Sequence, residues 1–172
     1  SDVYKRQQES SIHSVAQFVQ NWTRDNAQRI VDWRRHLHRN PELSHMETET
    51  TRFLSSELER AGLQPVALPS TGLIADIGPV GAPRIAFRGD IDALPLQEVT
   101  GLDFASETPG IMHACGHDIH TTVVLGLAVA LADFVDAHGE DALGIQVRFI
   151  FQPAEEVMDL SLIHISEPTR LG

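Results

Sequence analysis

Thr121-Thr-Val-Val-Leu-Gly-Leu-Ala-Val-Ala-Leu-Ala-Asp-Phe-Val135 reads as a helix that is apolar nearly all round, with Val123, Val124, Leu125, Leu127, Ala128, Leu131 and Phe134 on almost every side. A helix of that kind has to be buried by the rest of its domain. After it, Ile145 to Phe151 reads as a strand. Before it, Pro65 to Leu68, Leu73 to Ile77 and Arg84 to Phe87 are short strand-like runs, separated by the turn compositions Ser70-Thr-Gly72 and Gly78-Pro-Val-Gly-Ala-Pro83. Strands alternating with a buried helix predict an α/β fold, a three-layer sandwich with a largely parallel central sheet.

Further upstream, apolar residues from Ile12 to His38 recur at three- and four-residue steps (Val15, Phe18, Val19, Trp22, Ile30, Trp33, Leu37), an amphipathic helix with a break near Asn21 to Asp25. Asn40-Pro41 stops it. A second helix fits Met46 to Ala61, with Phe53, Leu54 and Leu58 on one face, Glu47, Glu49, Glu57 and Glu59 as a solvated face, and Gly62 as the stop. Leu96 to Ile111 reads as a long loop, which inside a compact domain is usually functional or disordered.

The chain has 172 residues, 42% hydrophobic and 22% charged, an ordinary composition for one globular domain. A formal net charge of −11 argues against nucleic acid and anionic membrane as partners, since both are bound by clustered Lys and Arg. No uninterrupted apolar stretch of transmembrane length and no signal-peptide order are apparent, so a cytoplasmic setting is expected. The single cysteine, Cys115, is a core thiol, a nucleophile or a metal ligand.

Cys115 lies in Gly110-Ile-Met-His-Ala-Cys-Gly-His-Asp-Ile-His-Thr-Thr122, among three histidines where a loop becomes the apolar helix. A soft thiolate and imidazoles two residues apart suit a transition metal. The helix N-terminus, capped by Asp118 or Thr121, should lower the thiol pKa. A Cys115/His117 nucleophile pair, or a non-catalytic metal-binding module, are the competing readings. Asp90 and Asp92, two residues apart in Arg88-Gly-Asp-Ile-Asp-Ala-Leu-Pro95, should project to one side of a strand end, where open α/β sheets place their sites. Glu155 and Glu156, at the end of Phe151-Gln-Pro-Ala-Glu-Glu156, should point oppositely if the chain stays extended, so that one carboxylate can bind a metal and the other act as a base.

These stretches, with Trp33-Arg-Arg-His-Leu-His-Arg-Asn-Pro-Glu-Leu43 and Met112-His-Ala-Cys-Gly-His-Asp118, resemble the amidohydrolase branch of the M20 metallopeptidase family, which includes aminoacylases, hippurate hydrolases and auxin-conjugate hydrolases. The resemblance implies a zinc-peptidase-like α/β catalytic domain interrupted by a smaller dimerisation domain, and hence a homodimer. It implies two divalent metal ions (Zn, Mn, Co or Ni), with Cys115, His117 and Glu156 as ligands, Glu155 as general base and Asp92 orienting the site. The substrate would be a small N-acyl amino acid, and His36, His113 and His120 would be hydrogen-bonded structural residues. The family's two further histidine ligands are not found before Asp159, so residues 8–159 are expected to be the first part of the catalytic domain, inactive alone. Residues 1–7 and 160–172 resemble translated sequencing-adaptor sequence, and 160–172 is expected to be loosely attached to the fold.

Overall fold

The structure, a computed structural model, describes residues 2–157, with side chains from Ser14 onward. The adaptor-like segment 160–172 lies outside the described residues. The elements run α1 (Asp2–Asp25), α2 (Ala27–Arg39), α3 (Thr48–Arg60), β1 (Val66–Ala67), β2 (Leu73–Ile77), β3 (Arg84–Asp90), α4 (His117–His138), a single 3₁₀ turn (Glu140–Leu143) and β4 (Gln146–Gln152). The predicted break in the first helix falls at Asn26, whose side-chain amide donates to the Trp22 carbonyl at 2.9 Å. Helix α2 stops before Pro41, with the Asn40 amide donating back to the His36 and Leu37 carbonyls. Helix α3 is capped from outside itself: the Glu42 carboxylate accepts the Glu49 and Thr50 amides at 3.1 and 2.7 Å.

The sheet order is β1-β2-β4-β3. Only β3 and β4 pair in parallel, while β1 with β2 and β2 with β4 are antiparallel, so the sheet is mixed where a largely parallel one was expected. The connections explain it. A parallel crossover needs about a dozen residues or more, and only the segment through α4 is long enough; the turns between β1 and β2 and between β2 and β3 force reversals of direction.

All four helices share one face of the sheet. Trp22, Trp33, Leu54, Leu58, Leu125 and Val129 join Leu73, Ala75, Val147, Phe149 and Phe151 in one core. Ile74, Asp76, Arg148 and Ile150 alternate to the other face, where Arg148 makes a bidentate pair with Asp76 at 2.8 and 2.7 Å. Among the described residues no helix covers that face, so the third layer of the expected sandwich is not found among them. Helix α4 is buried, as its apolar wheel demands. It is also the one described helix long and apolar enough to cross a membrane, which the sequence reading did not pick out. Here it packs on β3, α1 and α2 as a core helix. Its first turn presses on the end of β3 because residue 89 is glycine: a Cβ there would lie 2.9 Å from the His120 carbonyl oxygen.

Candidate metal centre

The parallel β3–β4 pair brings two strand ends together, and α4 points its N-terminus at the same edge. From β3 the chain passes Asp90 to Asp92; from β4 it passes Pro153 to Glu156; Cys115 and His117 arrive with the helix. Thr121 locks the corner by donating its hydroxyl to the Asp90 carbonyl at 2.8 Å.

His117 is 2% exposed. Its Nδ1 faces only acceptors, the Asp92 carbonyl oxygen at 2.9 Å and Asp92 Oδ1 at 3.2 Å, so Nδ1 keeps its proton and Nε2 is the nitrogen that can ligate once its own proton leaves. Nε2 looks toward Glu155 Oε2 and Glu156 Oε1, each 3.8 Å away. Asp92 is itself held, its Oδ2 accepting from the Ser44 hydroxyl at 2.7 Å and the Glu156 amide at 2.9 Å. This is the carboxylate–histidine arrangement that orients a metal ligand. The Asp92 hydrogen bond lifts the His117 imidazole to about 9 against the opposing effect of burial. Burial pushes the Asp92 carboxyl up, but hydrogen bonds from His117, the Glu156 amide and Ser44 outweigh it and bring it to about 2.

One donor atom each of Cys115, His117 and Glu156 lies within 4.8 Å of the others. Glu156 Oε1 is buried without a hydrogen-bond partner, an oxygen that a bound cation would satisfy. Thiolate, imidazole and carboxylate together fit a divalent transition metal. Burial and then the Glu156, Glu155 and Asp90 carboxylates raise the Cys115 thiol, opposite to the lowering expected from the helix end. Carboxylates that disfavour a thiolate do not suit a cysteine nucleophile; the same crowding of negative charge is relieved by a cation. A second group, Asp90, His117 and His120, shares His117. There Asp90 Oδ1 is likewise buried without a hydrogen-bond partner, with the Arg88 guanidinium 3.3 Å away as a cation beside it.

All five residues singled out from the sequence, Asp92, Cys115, His117, Glu155 and Glu156, converge here. Three details differ. The glutamates do not point oppositely, because Ala154 takes a left-handed φ of 56° and turns the chain, presenting both carboxylates to Nε2. A non-glycine residue in that region costs about 1–3 kcal/mol, so something must hold it. Helix α4 begins at His117 and not at Thr121, with Gly116 at φ +81° in the capping position and no side-chain cap: Asp118 is turned instead to Arg34 and His38, at 2.8 Å each. Of the three histidines taken as structural, His36 stacks on Phe53 and His120 is half exposed beside Asp90. His113 is buried with neither nitrogen hydrogen-bonded, and burial drops it to about 4.

Sequence reasoning missed Ser44 and Glu47, and also the chain running from Arg34 through Asp118 and His38 to Glu98. Glu98 secures the 96–111 loop by accepting the Ser106 amide at 2.6 Å and the Thr100 hydroxyl. Glu47 and Glu57 are buried, not solvated. The helical wheel carried the signal, since positions 47, 50, 54 and 58 form one stripe and Leu54 and Leu58 already mark it as inward.

An α/β unit with a thiol–imidazole–carboxylate cluster at the carboxyl edge of its parallel strands has the arrangement of a metallohydrolase catalytic domain. Residues 86–170 match the model of peptidase family M20/M25/M40. The chain is 51% identical over 130 residues to an N-acetyl-L-cysteine deacetylase of Bacillus subtilis, covering 74% of this chain and 30% of that protein. It is 45% identical over 134 residues to the IAA-amino acid hydrolase ILR1-like 5 of Arabidopsis thaliana, covering 74% and 29%. Among solved structures it superimposes on a dinuclear metal-binding peptidase of the M20 family from Bacillus subtilis with a TM-score of 0.67 and 47% identity, covering 76% of this chain and 36% of that one. The chain carries part of an M20 peptidase family domain, and it spans about a third of the length of the relatives it matches.

Proposed function

We propose that this chain supplies the first half of the active centre of a metal-dependent amidohydrolase that releases amino acids from small N-acyl amino acids. The observation that carries the reading is the convergence of Cys115, His117 and Glu156 on one point, with His117 presented through Nε2 by Asp92 and Glu156 Oε1 left without a partner. The names of the relatives, an N-acetyl-L-cysteine deacetylase and an N-acyl-L-amino acid amidohydrolase of Geobacillus stearothermophilus among them, support the substrate class.

Cys115, His117 and Glu156 would hold the metal, one ion of a pair in the intact enzyme, of zinc, manganese, cobalt or nickel type. Bound divalent ions polarise the amide carbonyl and make water acidic enough to attack it at neutral pH. Glu155 is more open to solvent than its neighbour, with a side chain 39% exposed against 19% for Glu156. That openness supports Glu155 as the group that would take a proton from the attacking water and return it to the leaving amine, as a general base then acid. Asp92 keeps the His117 proton on Nδ1 throughout. The same reading carries a homodimeric, cytoplasmic enzyme, supported by the family resemblance and by the acidic, single-cysteine composition.

The test is hydrolysis of N-acetyl, N-benzoyl and indoleacetyl amino acids by the enzyme that carries this sequence, before and after exhaustive chelation and again after adding back each metal. Activity should vanish on chelation and return with metal. Full turnover by the chelated enzyme would overturn the proposal.

A further inference from the structure

Glu47 is completely buried, yet no cation pairs with it among the described residues. A buried carboxylate is costly unless hydrogen bonds compensate for it, so its partners state its purpose. Glu47 Oε1 accepts the Ala154 amide at 2.8 Å and Oε2 accepts the Thr71 hydroxyl at 2.7 Å. Helix capping does not account for the side chain. Glu47 occupies the position before α3, but its carboxylate makes no cap hydrogen bond, and Glu42 does that work from outside the helix. The side chain instead reaches a residue 107 positions further along the chain.

The residue it reaches is the strained one. Ala154, with φ 56°, is the turn that swings Glu155 and Glu156 toward His117. The segment is pinned at two amides: Ala154 by Glu47 and Glu156 by Asp92. A neighbouring contact braces the same corner, since the Gly72 amide donates to Thr51 Oγ1 at 2.8 Å, one helical turn after Glu47.

From this geometry we infer that Glu47 is a positioning residue of the metal centre, a buried anchor that keeps Ala154 left-handed and thereby aims Glu155 and Glu156. The inference rests on the proposed metal site for its consequence but not for its test. In the metal-free full chain, Glu47→Ala should speed amide hydrogen exchange of residues 154–156 at least tenfold while leaving the β4 amides of residues 147–151 protected. Glu47→Gln, which keeps a carbonyl acceptor for the Ala154 amide and is the safer variant to fold, should retain most of the protection. Adding Ala154→Gly to Glu47→Ala, which makes the left-handed turn available without an anchor, should restore metal uptake.

That uptake is read by titrating Co²⁺ and following thiolate-to-metal absorption. Glu47→Ala should weaken it about 10- to 100-fold, the range for groups that orient ligands. Unchanged exchange at 154–156 in Glu47→Ala overturns the inference. So does an equal loss of protection throughout β4 in both Glu47 variants, which would make Glu47 a general core residue. If the wild-type chain takes up no Co²⁺, the metal-site proposal fails while the exchange result still decides the anchor.

Discussion

Replacing Asp92 with asparagine changes one oxygen to an NH₂ group at the point where three donors meet. Two of them, the Ser44 hydroxyl and the Glu156 amide, converge on Oδ2 at 2.7 and 2.9 Å; the third, His117 Nδ1, meets Oδ1 at 3.2 Å. Asparagine will turn its carbonyl to the side with two donors. Its NH₂ then confronts the Nδ1 proton of His117, in a site where the imidazole is 2% exposed. His117 then either keeps its Nδ1 proton on the residue 92 carbonyl at 2.9 Å, leaving the new NH₂ a buried donor without an acceptor, or moves the proton to Nε2, the nitrogen that faces Glu155 and Glu156, and sets Nδ1 against that carbonyl. An unpaired buried donor costs about 1–3 kcal/mol, against a total of about 5–15 for a typical domain, so the fold should survive. The proposed ligand should suffer in either case, because the NH₂ pushes the ring out of line or the proton occupies the nitrogen proposed to bind metal. A loss of roughly 10- to 100-fold in metal affinity is expected. Urea unfolding of the metal-free protein gives the first number, Co²⁺ titration the second, and ¹⁵N chemical shifts of the His117 ring report the tautomer. An Asp92→Asn protein that keeps the Nδ1 proton and binds Co²⁺ as tightly as wild type would refute the reasoning.

In the intact enzyme, Glu155→Gln should lower turnover by roughly 10²- to 10⁴-fold with metal retained, while Glu156→Gln should lose metal; equal metal loss in both would erase the division of labour between them. Gly72→Ala puts a Cβ 2.5 Å from the Phe151 carbonyl oxygen at a left-handed φ of +79°, whereas Gly62→Ala at φ +82° meets open space. Chemical denaturation should therefore show about 1 kcal/mol lost at position 62 and about 2 kcal/mol or more at position 72, and equal losses would show that the corner beneath the glutamates is not tight. Burial pushes Glu98 up, but the Ser106 amide, Thr100 and His38 outweigh it and hold it at about 2, below its ordinary 4.5. Its contribution to stability is therefore full above pH 4.5 and lost as pH falls toward 2. Amide exchange at Ser106 should accelerate across that window in wild type; in Glu98→Gln the extra acceleration should disappear.

Helix α4 and strands β2 to β4 are legible in the sequence because burial writes itself into hydrophobic period, and Gly78 to Pro83 is a plain turn. Strand direction is written in the lengths of the connectors, which were there to be counted: the segments before Leu73 and Arg84 cannot hold a crossover. The residues of the candidate centre are legible because Cys115, His117, Asp92, Glu155 and Glu156 are chemically unusual residues at element ends. Their supports are not, because Ser44 and Glu47 act through single hydrogen bonds to residues dozens of positions away, and no local pattern encodes such a partner. The joint orientation of Glu155 and Glu156 depends on one backbone angle at Ala154, where alanine gives no hint of a left-handed turn.

The crossover through α4 also sets the order in which this molecule can assemble. Glu156 reaches Asp92, and Ala154 reaches Glu47, only after β4 has docked beside β3, closing a loop that runs from Asp90 to Gln152. Chain entropy is lost before any of these contacts can compensate, so the centre is a late product of folding and not its nucleus. An ion that binds there cannot template the collapse of the chain. Its grip falls on the finished state, where it should slow unfolding while leaving the refolding rate nearly unchanged.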